Sequence, residues 1–302
     1  MLIDDIYKEY IYEITTRNYT DRTIKGYKNN LNKFFSFCKK EYGLLEIEEI
    51  THIHIKQYLN LLKSKNLSES YINTILKNIR SFYQYCYKEE YCLNVAKKVS
   101  FLKEKTVLIN TFTDMEVRKM LNAYKMDTYI NARNRCILSI LIDTGIRCSE
   151  LCNIKNIDIK ETVIYIFGKG RKERVVSISP QLKKIMIKYE RIRNNYLKDN
   201  ALHYDNYLLS YRCKPLTVEA VERIIRIAGQ KAKVRNEIRC SPHTCRHYFA
   251  QTQLKNGLDI YSLSRILGHE TVEITKRYLQ SLKDEQIAEI SIGTSPLMNL
   301  SK

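Results

Sequence analysis

No stretch of this chain approaches the roughly 18 consecutive apolar residues that a membrane-spanning helix needs. The opening MLIDDIYKEY lacks the basic-then-apolar order of a secretion leader. Cysteines number nine, an odd count, and are scattered without the density or spacing of a disulfide framework. Together these absences point to a reduced cytoplasm and exclude a small secreted scaffold. Internal repeats and low-complexity tracts are missing too. So are good metal-ligand pairs. Cys148 and Cys152 are spaced C-x3-C, and Cys240, His243, Cys245 and His247 crowd together without a C-x2-C pair. The two histidines also lack the glutamate of an HExxH site. No metal is expected, and stoichiometric zinc lost together with activity would be the sign of the opposite.

Acidic residues are the scarcer charge. Lys and Arg total 51 against 33 Asp and Glu, a net +18, which suits a polyanionic partner through phosphate contacts and counterion release. The first hundred residues carry 16 basic and 12 acidic groups, and the remainder carries 35 and 21, so the stronger nucleic-acid footprint lies in the second part. A coding bias toward Lys, Asn, Ile and Tyr would also raise the basic count. Charge by itself therefore leaves DNA, RNA and acidic membranes open.

A length of 302 residues suits two domains, because single cores stop growing near about 250–300 residues. Through residues 3–90 the apolar positions recur at helical spacing, as in Leu31, Phe34, Phe35 and Cys38, then Ile55, Tyr58, Leu59 and Leu62, then Ile72, Ile75, Leu76, Ile79, Phe82 and Tyr83. Thr20, Thr51 and Ser68 stand ahead of these runs as N-caps, so four helices in one small bundle are predicted. The period fades through residues 95–110, and a basic linker is expected over 101–112. Thr113 and Glu116 form a capping box that restarts helical structure. Strands are predicted at 157–159, 163–167 and 175–178, the last two joined by the glycine-containing loop GKGRKE. Helices are predicted over 181–195 and 217–231, from Ser241, over 260–267, and around Tyr278 with Thr271 as its cap. The fold class expected is mainly α in two domains, the second carrying a small three-stranded antiparallel sheet.

The chemistry collects at three places. SPHTCRH, residues 241–247, opens with an N-cap serine and a proline at the first helical position, setting His243, Arg246 and His247 near the positive end of a helix dipole. Such an end binds phosphate. His243 and Arg246 share a face, whereas His247, Ala250 and Leu254 point inward. In LGH, Gly268 suits a left-handed C-cap that would hold His269 at a fixed point, and nine residues later stands Tyr278 in RYL. Upstream, TGIRCSEL contributes Arg147, and FGKGRKER contributes a lysine-rich turn. A phenol has a pKa near 10 and needs neighbouring bases and cations to act as a nucleophile; this chain supplies them. Without those companions Tyr278 would be one of 23 tyrosines.

On these motifs the chain resembles the tyrosine recombinase or phage-integrase family, and in pattern its Xer-like members. TGIRCSEL matches the family's first arginine motif at Arg147, SPHTCRH its histidine and second arginine at His243 and Arg246, and LGH its later histidine at His269, with the nucleophile at Tyr278. The resemblance places a lysine in the hairpin: Lys169, because GKG resembles the family's motif, with Lys172 as the alternative. It implies a DNA-clamping, SAM-like core-binding domain at 1–100, a linker at 101–112, a catalytic domain at 113–290 and a tail at 291–302 that is mobile or donated to a neighbour, with the segment after Lys283 reaching that neighbour. It further implies a 3′-phosphotyrosyl intermediate without cofactor, cutting and rejoining duplex DNA at specific sites. Tyr278 would attack, Arg147 and Arg246 would hold the phosphate oxygens, and His269 would donate a hydrogen bond. His243 would accept the tyrosine proton and Lys169 would protonate the leaving oxygen. Arg171, Lys172 and Arg174 are expected on the DNA, and Glu150 behind Arg147 or a nearby basic group. Four protomers would assemble on two sites, with or without accessory proteins. Two rivals share parts of this pattern: a type IB topoisomerase, which would relax plasmid DNA lacking a recombination site, and a catalytically silent DNA-binding protein.

Overall fold

Thr20, Thr51 and Ser68 each present a hydroxyl to a free N–H at the start of a helix. These are α2 (Asp21–Tyr42), α3 (His52–Ser64) and α4 (Glu69–Lys88), preceded by α1 (Ile3–Thr16), which starts without a side-chain cap. The computed structural model describes residues 1–104, 108–168, 173–198, 204–281 and 284–293. It divides into two units, Met1–Val107 and Leu108–Lys302.

In the first unit the apolar stripes of all four helices meet in one core, where Phe34, Phe35, Ile55, Tyr58, Ile75, Ile79, Phe82 and Tyr83 are buried. Each such side chain contributes about 1.5–3 kcal/mol relative to exposure. Edge-on rings add direction, with Phe35–Phe82 and Tyr10–Phe82 centroids 5.1 and 5.3 Å apart. The chain leaving this bundle is held to it. Asn73 donates to the Leu102 carbonyl and accepts from the Leu102 amide, at 2.9 and 2.8 Å, and the Arg80 guanidinium lies 4.2 Å from the Phe101 ring centroid.

The second unit starts where Ile109 accepts from Gln251 and Thr111 donates to the Thr244 carbonyl. The first part of the expected 101–112 linker is thus fastened to one unit and the last part to the other. Thr113 and Glu116 form the capping box of α5 (Asp114–Asn122). The Glu116 carboxylate also receives the Arg235 guanidinium, whose hydrogen bonds hold this carboxyl down at about 2. Helix α6 (Tyr129–Thr144) is buried on nearly every side and forms the axis of the unit. It ends at Gly145, left-handed at φ 61°, and α7 (Cys148–Asn153) follows. Next come strands β1 (Val163–Phe167) and β2 (Glu173–Ser177), then helices α8 (Pro180–Leu197), α9 (Val218–Ala232), α10 (Pro242–Lys255), α11 (Ile260–Leu267), α12 (Glu273–Lys276) and α13 (Asp284–Gly293). Helix α6 packs against both α8 and α10, so the arginine motif and the SPHTCRH helix share one support.

Two expectations are corrected. The sheet has two antiparallel strands among the described residues, with Ile164 opposite Val176 and Ile166 opposite Arg174. Residues 157 and 158 of the strand expected at 157–159 instead lie in a 3-10 turn over Asn156–Asp158, because the Asp158 carboxylate accepts from the Lys155 amide and Ile157 finds no core, remaining 72% exposed. Only Ile159 keeps a single bridge to Ile164. Tyr278 is not carried on a helix. Helix α12 is one turn long, begins without a side-chain cap, and is followed by a turn in which the Tyr278 amide donates to the Thr275 carbonyl. That tight winding turns Tyr278 into the cluster of Phe249, Ala250, Leu254, Leu263 and Leu267.

Candidate active site

The end of α11 organises the site. Three consecutive carbonyls at its C-terminus, where the helix dipole is negative, each accept from a different arginine: Ile266 from Nε of Arg174, Leu267 from Nη2 of Arg246 and Gly268 from Nη2 of Arg147, at 2.8, 2.7 and 2.8 Å. Gly268 makes this possible with φ 65°, and a Cβ there would come within 3.1 Å of the Arg174 side chain.

Arg147 and Arg246 come from different helices. Arg246, on the first turns of α10 below the Ser241 cap, is 3% exposed and also donates to the Gly145 carbonyl at 2.8 Å. Burial, followed by the positive field of Arg147, lowers its pKa to about 10, which still leaves it charged at neutral pH. Arg147 is the N-cap of α7 and remains exposed. Behind it, the Glu150 carboxylate accepts four hydrogen bonds, from the amide and Nη1 of Arg147 and from both Nη atoms of Arg174. Burial pushes this carboxyl up, yet the arginines outweigh that and hold it below its ordinary value. Arg174, expected on the DNA, directs its guanidinium onto Glu150. Strand alternation accounts for this, since Arg174 shares the inward face of β2 with Val176 while Glu173 and Val175 face out.

The remaining groups lie around the arginines. Tyr278 is 2% exposed, and its hydroxyl lies 3.0 Å from Nδ1 of His247. Burial raises the phenol pKa, opposed by Arg246, Arg277 and Arg147. The His243 ring meets His247 edge-on, centroids 4.3 Å apart, and is itself exposed. His269 is held through Nδ1 by the buried Thr275 hydroxyl at 2.7 Å. Burial first, and then neighbouring charges, lower His247 to about 3 and His269 to about 4; His243 is lowered by the same causes. All three imidazoles are therefore neutral at neutral pH. A cleft of about 1130 Å³ opens beside Arg147, Glu150, Arg174, Arg265, His269 and Phe167.

The structure thus gathers Arg147, Glu150, Arg174, His243, Arg246, His269 and Tyr278, while Lys169, Arg171 and Lys172 lie outside the described residues. Sequence reasoning turned His247 inward but gave it no part in the site; its place one helical turn after His243 was the available signal. Thr275 and the exposed Arg277 were also missed, the latter beside Tyr278 in the sequence. Among the described residues no three His, Cys, Asp or Glu side chains are grouped to hold a metal, and no helix is long and apolar enough to cross a membrane.

A buried phenol with imidazoles against it and guanidiniums fixed alongside is the equipment of phosphoryl transfer to tyrosine. Comparison with known proteins matches residues 110–285 to the phage integrase family and residues 6–93 to the phage integrase N-terminal SAM-like domain. Tyrosine recombinase XerC of Thermodesulfovibrio yellowstonii is 31% identical over 264 residues, covering 86% of this chain and 85% of that protein. Tyrosine recombinase XerC of Leptospira interrogans is 30% identical over 280 residues, 91% and 87% of the two chains. The XerH site-specific recombinase in a post-cleavage complex on difH DNA shares the fold, with a TM-score of 0.74 at 20% identity over 92% of this chain and 82% of that one. The chain belongs to the phage integrase family of tyrosine recombinases, among its Xer-like members, and is a site-specific DNA recombinase.

Proposed function

We propose that the protein cuts and rejoins duplex DNA through a 3′-phosphotyrosyl intermediate on Tyr278. Arg147 and Arg246 bind the non-bridging oxygens of the scissile phosphate, each offering a planar pair of donors. His269, neutral and fixed at Nδ1 by Thr275, turns Nε2 toward the same phosphate. As the bond from the tyrosine oxygen to phosphorus forms, the bond from phosphorus to the 5′ oxygen breaks. The phenol proton goes to His243, and the departing oxygen takes a proton from Lys169, with Lys172 as the alternative. The phosphodiester energy stays in the covalent link, so rejoining needs no cofactor. Arg171 and Lys172 contact the backbone, whereas Arg174 acts behind the site by holding Glu150.

The observation carrying this reading is the attachment of Arg246 and Arg147 to the adjacent carbonyls of Leu267 and Gly268 beside the buried Tyr278 hydroxyl. We further propose that residues 1–100 clamp the DNA, that 113–290 form the catalytic domain, that the carboxyl-terminal segment after Lys283 reaches a neighbouring protomer, and that four protomers act on two sites in the cytoplasm. A lambda integrase tetramer bound to a Holliday junction has the same fold and supports that assembly. Nicked suicide DNA bearing the target sequence tests the chemistry. Wild type is expected to become covalently trapped, and Tyr278→Phe to bind the DNA without trapping. Equal trapping by the variant would overturn the assignment of the nucleophile.

A further inference from the structure

Besides Arg246, which hydrogen-bonds the Tyr278 side chain, the hydroxyl meets a group that has no role in the chemistry proposed above. His247 is buried, on the inward side of α10, with Nδ1 at 3.0 Å from that oxygen and its ring centroid 5.5 Å from the phenol ring. A tyrosine in this position has two needs. Its hydroxyl is in a nearly water-free place and must be hydrogen-bonded, because a buried unsatisfied donor is costly. Its oxygen must also keep a lone pair turned toward phosphorus. Both needs are met if the hydroxyl donates to His247, since the lone pairs then point away from the imidazole. They fail if His247 donates instead, because with Arg246 already donating to the oxygen a second donated bond would leave no lone pair open to phosphorus.

We infer that His247 is a positioning residue for the nucleophile: in the site before attack its Nδ1 accepts the Tyr278 hydroxyl hydrogen, in the tautomer that carries its proton on Nε2, and thereby sets the seat of the phenol, and the O–H turns to His243 only as attack begins. The inference rests on Tyr278 being the nucleophile. His247 is well suited to one tautomer and one charge, because burial first, and then the nearby guanidiniums of Arg277 and Arg246, disfavour imidazolium. The backbone serves the same end from the other side, as the tight turn from Thr275 to Tyr278 leaves the ring few alternative positions.

The test compares three substitutions under saturating suicide DNA, reading the first-order rate of covalent capture separately from DNA affinity. His247→Leu fills the space without an acceptor and is expected to slow capture roughly tenfold to a hundredfold, the range for losing one hydrogen bond in a buried site, with affinity unchanged. His247→Asn places an amide oxygen where Nδ1 stood and is expected to return capture to within about threefold of wild type. His247→Gln, whose amide reaches the Nε2 position, is expected not to. A His247→Leu rate equal to or above wild type would show that the imidazole only fills the core or restrains the tyrosine, and would overturn the inference. So would Asn and Gln behaving alike. Should His247→Leu fail to fold, 15N-histidine spectra decide on their own. Tyr278→Phe is expected to move the His247 Nδ1 resonance in a protein whose His247 remains neutral at pH 6, and an unmoved resonance refutes the hydrogen bond. Absence of capture by wild type itself would instead overturn the proposed chemistry, which keeps the two failures apart.

Discussion

Replacing Glu150 by glutamine removes a charge while nearly preserving shape, and the outcome follows from counting donors. Four N–H groups converge on the carboxylate at 2.7, 2.9, 2.8 and 2.6 Å, and its side chain is only 6% exposed. A glutamine offers one oxygen and turns an NH2 toward donors that cannot accept from it. Arg174, 12% exposed, loses its ion-pair partner, whereas Arg147, 43% exposed, can turn to water and loses little. Breaking a buried pair from one side costs about 3–5 kcal/mol, and the oxygen that glutamine keeps returns about 1 kcal/mol. A net loss of about 2–4 kcal/mol is therefore expected. With a urea m-value of about 2 kcal/mol/M, the transition of the catalytic unit should fall by about 1–2 M. Hydrogen exchange should localise the weakening to α7 and β2. Because Arg174 also holds the Ile266 carbonyl, the three-arginine array should loosen, and covalent capture should slow more than DNA binding weakens. A Glu150→Gln protein within about 0.5 kcal/mol of wild type, with an unchanged capture rate, would refute the reasoning.

Gly145→Ala meets two obstacles, a left-handed backbone at φ 61° and a Cβ 2.3 Å from the Phe249 ring; a loss of about 2–4 kcal/mol in urea unfolding is expected. The hairpin lysines are separable by chemistry. A 5′-bridging phosphorothiolate leaves without a proton, so it should rescue cleavage by Lys169→Ala, and rescue confined to Lys172→Ala would transfer the role of general acid. The histidines predict a pH dependence of stability. His247 and His269 have folded pKa values near 3 and near 4, below the unfolded value of about 6.5. The unfolded chain thus binds protons first, and their contribution is complete above about pH 6.5 and lost as pH falls toward the folded values. Each histidine adds a slope of up to about 1.4 kcal/mol per pH unit in that window. Urea titrations at pH 7, 6 and 5 check this, and His247→Asn should flatten the dependence.

The helical bundle was readable because Leu31, Phe34, Phe35 and Cys38 and their counterparts repeat at the helical period, and a stripe of that width has one way to become buried. The caps at Thr113, Ser241 and Gly268 were readable for a similar reason, since each acts on atoms within four residues. Residues 157–159 misled the reading, because short apolar runs suit a strand equally well, and the Asp158 side chain decided locally for a turn. The helix expected around Tyr278 failed for the opposite cause. A distant cluster on α10 and α11 captured the ring and bent the chain.

What the amino-acid order determined unaided was the inventory: which arginines, histidines and tyrosine were present, at spacings tied to helix starts and ends, and hence the class of chemistry. Those are properties of neighbours along the chain. Tertiary structure alone decided that three guanidiniums separated by up to 99 positions, Arg147, Arg174 and Arg246, would hang from consecutive carbonyls of one helix end. It also turned Arg174 onto Glu150 and set His247 against the tyrosine hydroxyl. Hydrogen bonds between residues so far apart in sequence depend on where whole helices pack, and no local pattern records that.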